Sequence, residues 1–284
     1  MTKRVLLIDG DIVAYKAALS SETPLNWGDG YWTLHAFEED VISKIVQYHW
    51  NLMETLEADR AVYALTDGDN WRKDVLPSYK ENRADTRKPM LLPFAREYLL
   101  DNHETYLRPG LEGDDCLGIL ATHPKLFKGT GIIVSLDKDM RTIPGRYYND
   151  QKPKGDKRGI AGVEEISEEE AHFWHMCQTL AGDPVDGYSG CPGIGMTGAV
   201  KLLSEPCIYE QVTETIKSGK NKGKERTTWK NVGPAETLWD AVVSQYLKAG
   251  LTEADALQQA RVARVLQASD YDFKRKEPIL WNPS

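Results

Sequence analysis

Nine acidic residues recur at two kinds of place, the end of an apolar run or the flank of a turn: Asp9, Asp67, Glu112, Asp114, Asp115, Asp137, Asp139, Asp183 and Asp186. Singly, such an acid is usually a helix N-cap or a turn residue. Gathered together, they would repel one another severely without compensating cations. Hard oxygen donors unaccompanied by His or Cys favour magnesium or manganese over zinc. Two such ions about 4 Å apart suit in-line displacement at phosphorus, one activating water and the other steadying the leaving oxygen. That chemistry is phosphodiester hydrolysis, with neighbouring Lys or Arg steadying the added charge of the transition state.

The segment from Gly182 to Leu203 joins an acid pair to a bare turn and a helix. Asp183 and Asp186 stand three residues apart, so a helical or turn-like backbone faces them the same way. Around Pro192-Gly193-Ile194-Gly195 the glycines let peptide N–H groups approach a polyanion, and the following helix start adds favourable partial charge. A plain Gly-rich loop between helices, with the acids as N-caps, accounts for this segment equally well.

The elements that must position these groups alternate. Val5–Ile8 reads as a buried central strand closing on Asp9-Gly10-Asp11. Residues 36–58 carry Phe37, Val41, Ile45, Tyr48, Leu52 and Leu56 at amphipathic-helix spacing. Residues 61–66 and 131–136 are further strands, closing on Asp67 and Asp137, and 146–149 is a short strand-like piece. Residues 72–102, polar, basic and broken by Pro77, Pro89 and Pro93, read as an exposed excursion with at most short helices. Ser167 caps a helix that delivers the chain to Asp183, and two more helices are expected at about 234–249 and 253–268. Residues 218–226 read as a flexible basic loop. Strands alternating with helices imply an α/β fold, a mainly parallel sheet with helices on both faces. In such sheets ligands lie beyond the C-terminal strand ends, where Asp9, Asp67 and Asp137 fall.

The 284 residues carry a net charge of −8, which argues against a nucleic-acid partner unless the acids converge on cations. Basic residues nonetheless cluster at 72–88, at Lys152, Lys154, Lys157 and Arg158, and at 217–226. The four cysteines are scattered without a paired motif, so free thiols and a cytoplasmic location are expected. No apolar run is long enough to cross a membrane, and the short apolar stretch near the N-terminus reads as a strand rather than a signal peptide.

The succession LLIDGD, TDGDNWRKDVLPSYKENR, LEGDD, SLDKD and GDPVDGYSGCPGIGMTGA resembles the 5′ nucleases, the flap endonucleases and 5′→3′ exonucleases of phages, bacterial polymerases and eukaryotes. The segments SGKNKGKE, ETLWD, KAGLTE and ARVL most resemble the exonucleases of short-tailed bacteriophages. Five motifs in the family's order, over nearly the whole chain, make the resemblance specific. It implies a PIN-like nuclease core over 1–180, with an arch at about 72–102, and a helix–three-turn–helix with a C-terminal helical region over 181–284. Asp9, Asp67, Glu112, Asp114, Asp115, Asp137 and Asp139 then resemble ligands of a first magnesium site, which manganese also fills, or ligands shared between two, and Asp183 and Asp186 resemble residues of the second. Asp11 and Asp69 match no ligand position.

Lys80 and Arg83 fall at the arch base, where they would stabilise the scissile phosphate. Tyr15 and Tyr79 would stack on bases or pack in the core. Gly193 and Gly195 would hold duplex through backbone amides, with potassium in that turn, and Lys220, Lys222 and Lys224 would add basic contacts. Gly187 stands where relatives often have Asn, and Met196-Thr197 replaces a common acidic–basic pair. The implied partner is double-stranded DNA with a 5′ end, nick or flap, or an RNA–DNA hybrid, acted on by a monomer. Two rivals remain: a haloacid-dehalogenase-type phosphatase, whose strand-end Ser/Thr precedes the acid pair whereas Ser135 follows it, and a non-catalytic DNA-binding module.

Overall fold

In a computed structural model, residues 4–127, 130–149 and 162–283 are described, so the cluster Lys152, Lys154, Lys157 and Arg158 lies outside the described residues. The chain divides into two compact units. Residues 1–71, 85–171 and 265–279 form the first, and residues 72–84, 172–264 and 280–284 the second. The units interleave along the sequence instead of meeting at one boundary near residue 180.

The first unit is an α/β fold around a six-stranded sheet, ordered Thr105–Tyr106, Arg60–Ala64, Val5–Asp9, Gly131–Val134, Gly145–Tyr148 and Glu164–Ile166. The first five strands run parallel and the last antiparallel. Every residue of Val5–Asp9 is buried, as a central strand covered on both faces requires. Leu6, Ile8, Ala61, Tyr63, Ile132 and Val134 pack with Val13, Ala17, Val41, Ile45, Ala95 and Leu99, which come from helices Gly10–Ser20, Glu38–Thr55 and Leu92–Asn102. By the pleat, Leu7, Val62 and Ile133 face the other way. Helix Gly113–Thr122 packs against those same three strands.

Asp9 pairs in register with Ala64, and Ile8 with Val134, so three chain segments leave the sheet side by side at one edge. Asp9, Asp67 and Asp137 follow at that edge.

Two features of the first unit depart from expectation. Leu92–Asn102 is a regular helix within the expected excursion, because Pro93 occupies its first turn, where no backbone N–H is needed. The strands Thr23–Gly28 and Tyr31–His35 form an exposed antiparallel hairpin where no strand is expected, although Leu25 and Trp27, then Trp32 and Leu34, alternate around the turn Gly28-Asp29-Gly30.

The second unit is helical around Met176, Leu180, Leu203, Trp239, Val242, Tyr246 and Ala260. Its helices are the greater part of Glu168–Ala181, then Met196–Ser204, Leu238–Lys248 and Glu253–Ala263. Ser167 Oγ accepts from Glu170 N at 3.1 Å, and Thr252 Oγ1 from Asp255 N at 3.2 Å, as N-caps do. Between the second and third of these helices the chain makes a long antiparallel hairpin, Cys207–Thr215 with Glu225–Pro234. The expected flexible basic loop is only the tip of this hairpin, and the following helix starts at Leu238 instead of near 234. No helix among the described residues is long and apolar enough to cross a membrane.

Candidate active site

In the first unit each strand-end acid is tied down by a local donor. Asp9 caps helix Gly10–Ser20, its Oδ1 accepting from Ile12 N at 3.0 Å. Its Oδ2 accepts from Ser135 Oγ at 2.9 Å, and Ser135 Oγ accepts in turn from Asp137 N at 3.1 Å. Ser135 thus bridges Asp9 to the start of the Asp137 segment. Asp137 Oδ1 takes Asp139 N at 2.9 Å, and Tyr147 Oη donates to the Asp137 carbonyl at 3.2 Å. Burial raises the Asp9 carboxyl to about 6, and the neighbouring Asp137 charge adds to the shift. A buried acid beside a second carboxylate gains from a nearby cation.

Asp67 lies in a different environment. Its Oδ2 accepts from Gly110 N at 2.8 Å, and its own N–H donates to Leu111 O at 2.9 Å, which fastens it to the chain just before Glu112. The Gly110 N–H is the leading reason its carboxyl is held below the ordinary range. Glu112 is buried and Asp114 half-buried at the start of helix Gly113–Thr122.

Asp115 differs from the other acids. It is fully buried, with Oδ1 accepting from Leu266 N at 3.0 Å and Oδ2 from Trp71 Nε1 at 3.0 Å and Glu112 N at 3.3 Å. The expected ligand is here also a brace for the helix start: three donors take three of the roughly four lone-pair sites of its carboxylate.

The donor set is carboxylate oxygen throughout, which fits a hard divalent cation. Among the described residues, however, no three His, Cys, Asp or Glu side chains stand together closely enough to hold an ion. As placed, the carboxylates are drawn to their own caps and turns. The structure therefore brings together Asp9 with Asp137, and Asp67 with the segment leading to Glu112.

In the second unit, Gly182 and Gly190 bring two backbone stretches into contact. A Cβ on Gly182 would lie 2.4 Å from Ser189 C, and one on Gly190 2.3 Å from Gly182 N, with both φ angles near +60°. Asp183 and Tyr188 exchange backbone hydrogen bonds of 2.9 and 3.2 Å across this turn. Asp183 is buried, and its Oδ1 accepts from Val185 N at 2.8 Å.

Asp186 gathers the basic segment. Its Oδ2 accepts from Tyr79 Oη at 3.0 Å and lies 3.5 Å from Lys80 Nζ, while Oδ1 pairs with Arg83. Lys80 N donates to Asp186 O at 2.8 Å, Arg83 Nε to Val185 O at 3.0 Å, and Asn82 Nδ2 to Pro184 O at 2.9 Å. A Cβ on Gly187 would stand 3.3 Å from both Lys80 N and Ser78 O, at φ +78°. Close approach of the Lys80 segment thus explains why glycine occupies this position.

Of the two roles left open for Tyr79, packing in the core and not stacking on a base fits its 3% exposure and its place among Tyr188, Val262 and Ala263. Gly193 and Gly195 are exposed, Gly195 at the N-terminus of helix Met196–Ser204, and Lys220, Lys222 and Lys224 are exposed at the hairpin tip.

Residues 4–154 match the family model described as the 5′–3′ exonuclease N-terminal resolvase-like domain. The chain belongs to the 5′→3′ exonuclease family. An exonuclease of Escherichia phage T7 is 36% identical over 99% of this chain and 94% of that protein. An exodeoxyribonuclease of Enterobacteria phage T3 is likewise 36% identical, over 99% of this chain and 93% of its own length. The T5 D15 protein, crystallised with metal ions, shares the fold with a TM-score of 0.59 at 14% identity, covering 93% of this chain and 90% of that one. Membership in this exonuclease family makes the chain a nuclease and removes both rivals left open by the sequence.

Sequence reasoning missed Ser135 as a bridge between two acids. Its signal was a hydroxyl two residues before Asp137 at a strand end, set aside because the phosphatase order was wrong.

Proposed function

We propose that this chain is a divalent-metal-dependent 5′→3′ exonuclease that hydrolyses phosphodiester bonds at DNA 5′ ends and releases 5′-phosphorylated products. The observation that carries the reading is the Asp9–Ser135–Asp137 bridge at the sheet edge where Asp67 also emerges. Asp9, Asp67, Glu112, Asp114, Asp115, Asp137 and Asp139 would hold a first magnesium or manganese ion or be shared between two, and Asp183 and Asp186 would belong to the second. Bound there, the ions would supply an activated water and charge neutralisation at phosphorus.

The chain's own residues set up the rest. Caps and turn N–H groups orient the carboxylates, and Asp115 fixes the helix start that carries Glu112 and Asp114. Lys80 and Arg83 would move from Asp186 to the scissile phosphate and stabilise its developing charge. Gly193 and Gly195 would offer N–H groups to the duplex backbone, with potassium in that turn, and Lys220, Lys222 and Lys224 would add phosphate contacts. Flap cleavage and removal of RNA paired to DNA extend the same chemistry, as a monomer serving phage DNA replication or recombination in the host cytoplasm.

The test is a gel assay with 5′-labelled blunt, nicked and flapped duplexes, with and without magnesium. Magnesium-dependent release of short 5′-labelled products is expected. Equal cleavage in a chelator, or products released only from 3′ ends, refutes the reading.

A further inference from the structure

Three of the segments that bear the proposed ligands of the first ion meet at one point that contains none of those ligands. Asp11 lies two residues after Asp9, Thr66 lies one before Asp67, and Gly113 stands between Glu112 and Asp114. Asp11 Oδ2 accepts from Thr66 N at 2.8 Å, and Thr66 Oγ1 accepts from Gly113 N at 2.8 Å. Packing there is close: a Cβ on Gly113 would sit 3.0 Å from Asp11 Oδ2 and 3.5 Å from Thr66 Oγ1. A fourth element closes the junction. Arg96, on helix Leu92–Asn102, forms an ion pair with Asp11 Oδ1 and donates through its other terminal nitrogen to Thr66 O at 2.5 Å. Both charged side chains are mostly buried, each 28% exposed.

We propose that Arg96, acting through Asp11 and Thr66, is a positioning residue that holds the Asp9, Asp67 and Glu112–Asp114 segments in register for metal binding. The inference rests on the metal-site reading above. Its physical basis is geometric, because a divalent site tolerates only about 0.5 Å of misplacement in its ligands. A planar guanidinium that grips a carboxylate and a carbonyl together fixes both more tightly than a flexible ammonium does. The arrangement also places the cation on Asp11, which matches no ligand position, so it orders the ligand segments without neutralising the ligands themselves. Loss of such a supporting partner typically costs about 10- to 100-fold in metal affinity. A merely structural ion pair predicts a different outcome, lower thermal stability with metal affinity intact.

The experiment measures Mn2+ binding to the full-length chain without DNA, by electron paramagnetic resonance, beside the Mg2+ concentration that half-saturates cleavage. Arg96→Gln is expected to weaken Mn2+ binding about 10-fold or more and to raise half-saturating Mg2+ in parallel, with the rate at saturating Mg2+ largely restored. Arg96→Lys should recover part of the affinity. Thr66→Val removes only the hydroxyl link to Gly113 N, and it serves if Arg96→Gln does not fold. Wild-type Mn2+ affinity in Thr66→Val, or in a folded Arg96→Gln, overturns the inference. Asp67→Ala separates the two levels. If it binds Mn2+ as the wild type does, or if the wild type binds none, the metal-site reading itself fails and the positioning role falls with it.

Discussion

His175 gives the chain a pH dependence whose size follows from its surroundings. It lies on helix Glu168–Ala181, which leads into the Asp183–Asp186 turn, and it is fully buried. Its Nε2 donates to Ala260 O at 2.8 Å, and its ring stands perpendicular to that of Trp281 with centroids 5.1 Å apart. Burial first, and then the Arg264 charge, lower its pKa from 6.5 to about 3. The folded chain therefore keeps this histidine neutral where the unfolded chain protonates it, so stability is whole above pH 6.5 and falls as the pH drops toward 3. At about 1.4 kcal/mol per pH unit, the step from neutral to pH 5 costs about 2 kcal/mol through this residue alone.

His175→Gln retains an amide donor for Ala260 O and cannot titrate. Urea unfolding of both chains at pH 7.5 and pH 5 isolates the effect, because His172, also pushed down by burial, is common to both. The wild type should lose about 2 kcal/mol more than the variant over that interval. Equal losses, or an NMR resonance showing His175 protonated above pH 5.5 in the folded chain, would refute the reasoning.

Asp67→Ala and Asp137→Ala should each abolish magnesium-dependent cleavage in the gel assay, and wild-type turnover from either contradicts the ligand assignment. Lys80→Ala should slow single-turnover cleavage by about 10²- to 10³-fold while DNA affinity changes little, because the charge is needed chiefly in the transition state. Comparable losses in rate and affinity would place Lys80 in ground-state binding. Replacing Lys220, Lys222 and Lys224 together by Ala should weaken duplex binding and flatten its salt dependence by about 2 to 3 in the log–log slope. An unchanged slope removes the hairpin tip from the interface. Gly118→Ala forces a Cβ to within 2.2 Å of Leu266 O, so a loss of about 1–3 kcal/mol is expected in thermal or urea melting. An unaltered melt would show that the Val265–Leu266 segment yields.

What could be read from the sequence divides along physical lines. Val5–Ile8 and 131–134 were legible because strands buried on both faces must be apolar throughout, and the edge where Asp9, Asp67 and Asp137 emerge follows from parallel topology. The hairpin Cys207–Pro234 was hidden by the lysines and glycines of its tip. Its signal lay in β-branched residues on both sides, Val212 and Thr213 facing Thr228 and Thr227, with Thr213 and Thr227 hydroxyls 2.8 Å apart. The Arg96–Asp11 pair joins positions 85 residues apart, and no local spacing announces it.

The acids are the instructive case, because the choice between cap and ligand was a false one. Asp9, Asp137 and Asp183 each accept a hydrogen bond from a backbone N–H two or three residues on, as a cap or turn residue should, and Asp67 accepts one from the sequence-distant Gly110. That bond engages one carboxylate oxygen and fixes the direction of the group, which is also what pre-organising a ligand requires. Cap geometry is therefore compatible with metal binding in all four and cannot separate them. What spacing cannot set is the burial of each group, which packing decides. Asp114 and Asp115 are neighbours in one motif, yet Asp115 spends its oxygens on Trp71, Glu112 and Leu266 in full burial while Asp114 stays half-buried. Spacing placed both at a helix start. Only the fold shows that Asp115 is fully buried and accepts from Trp71, Glu112 and Leu266.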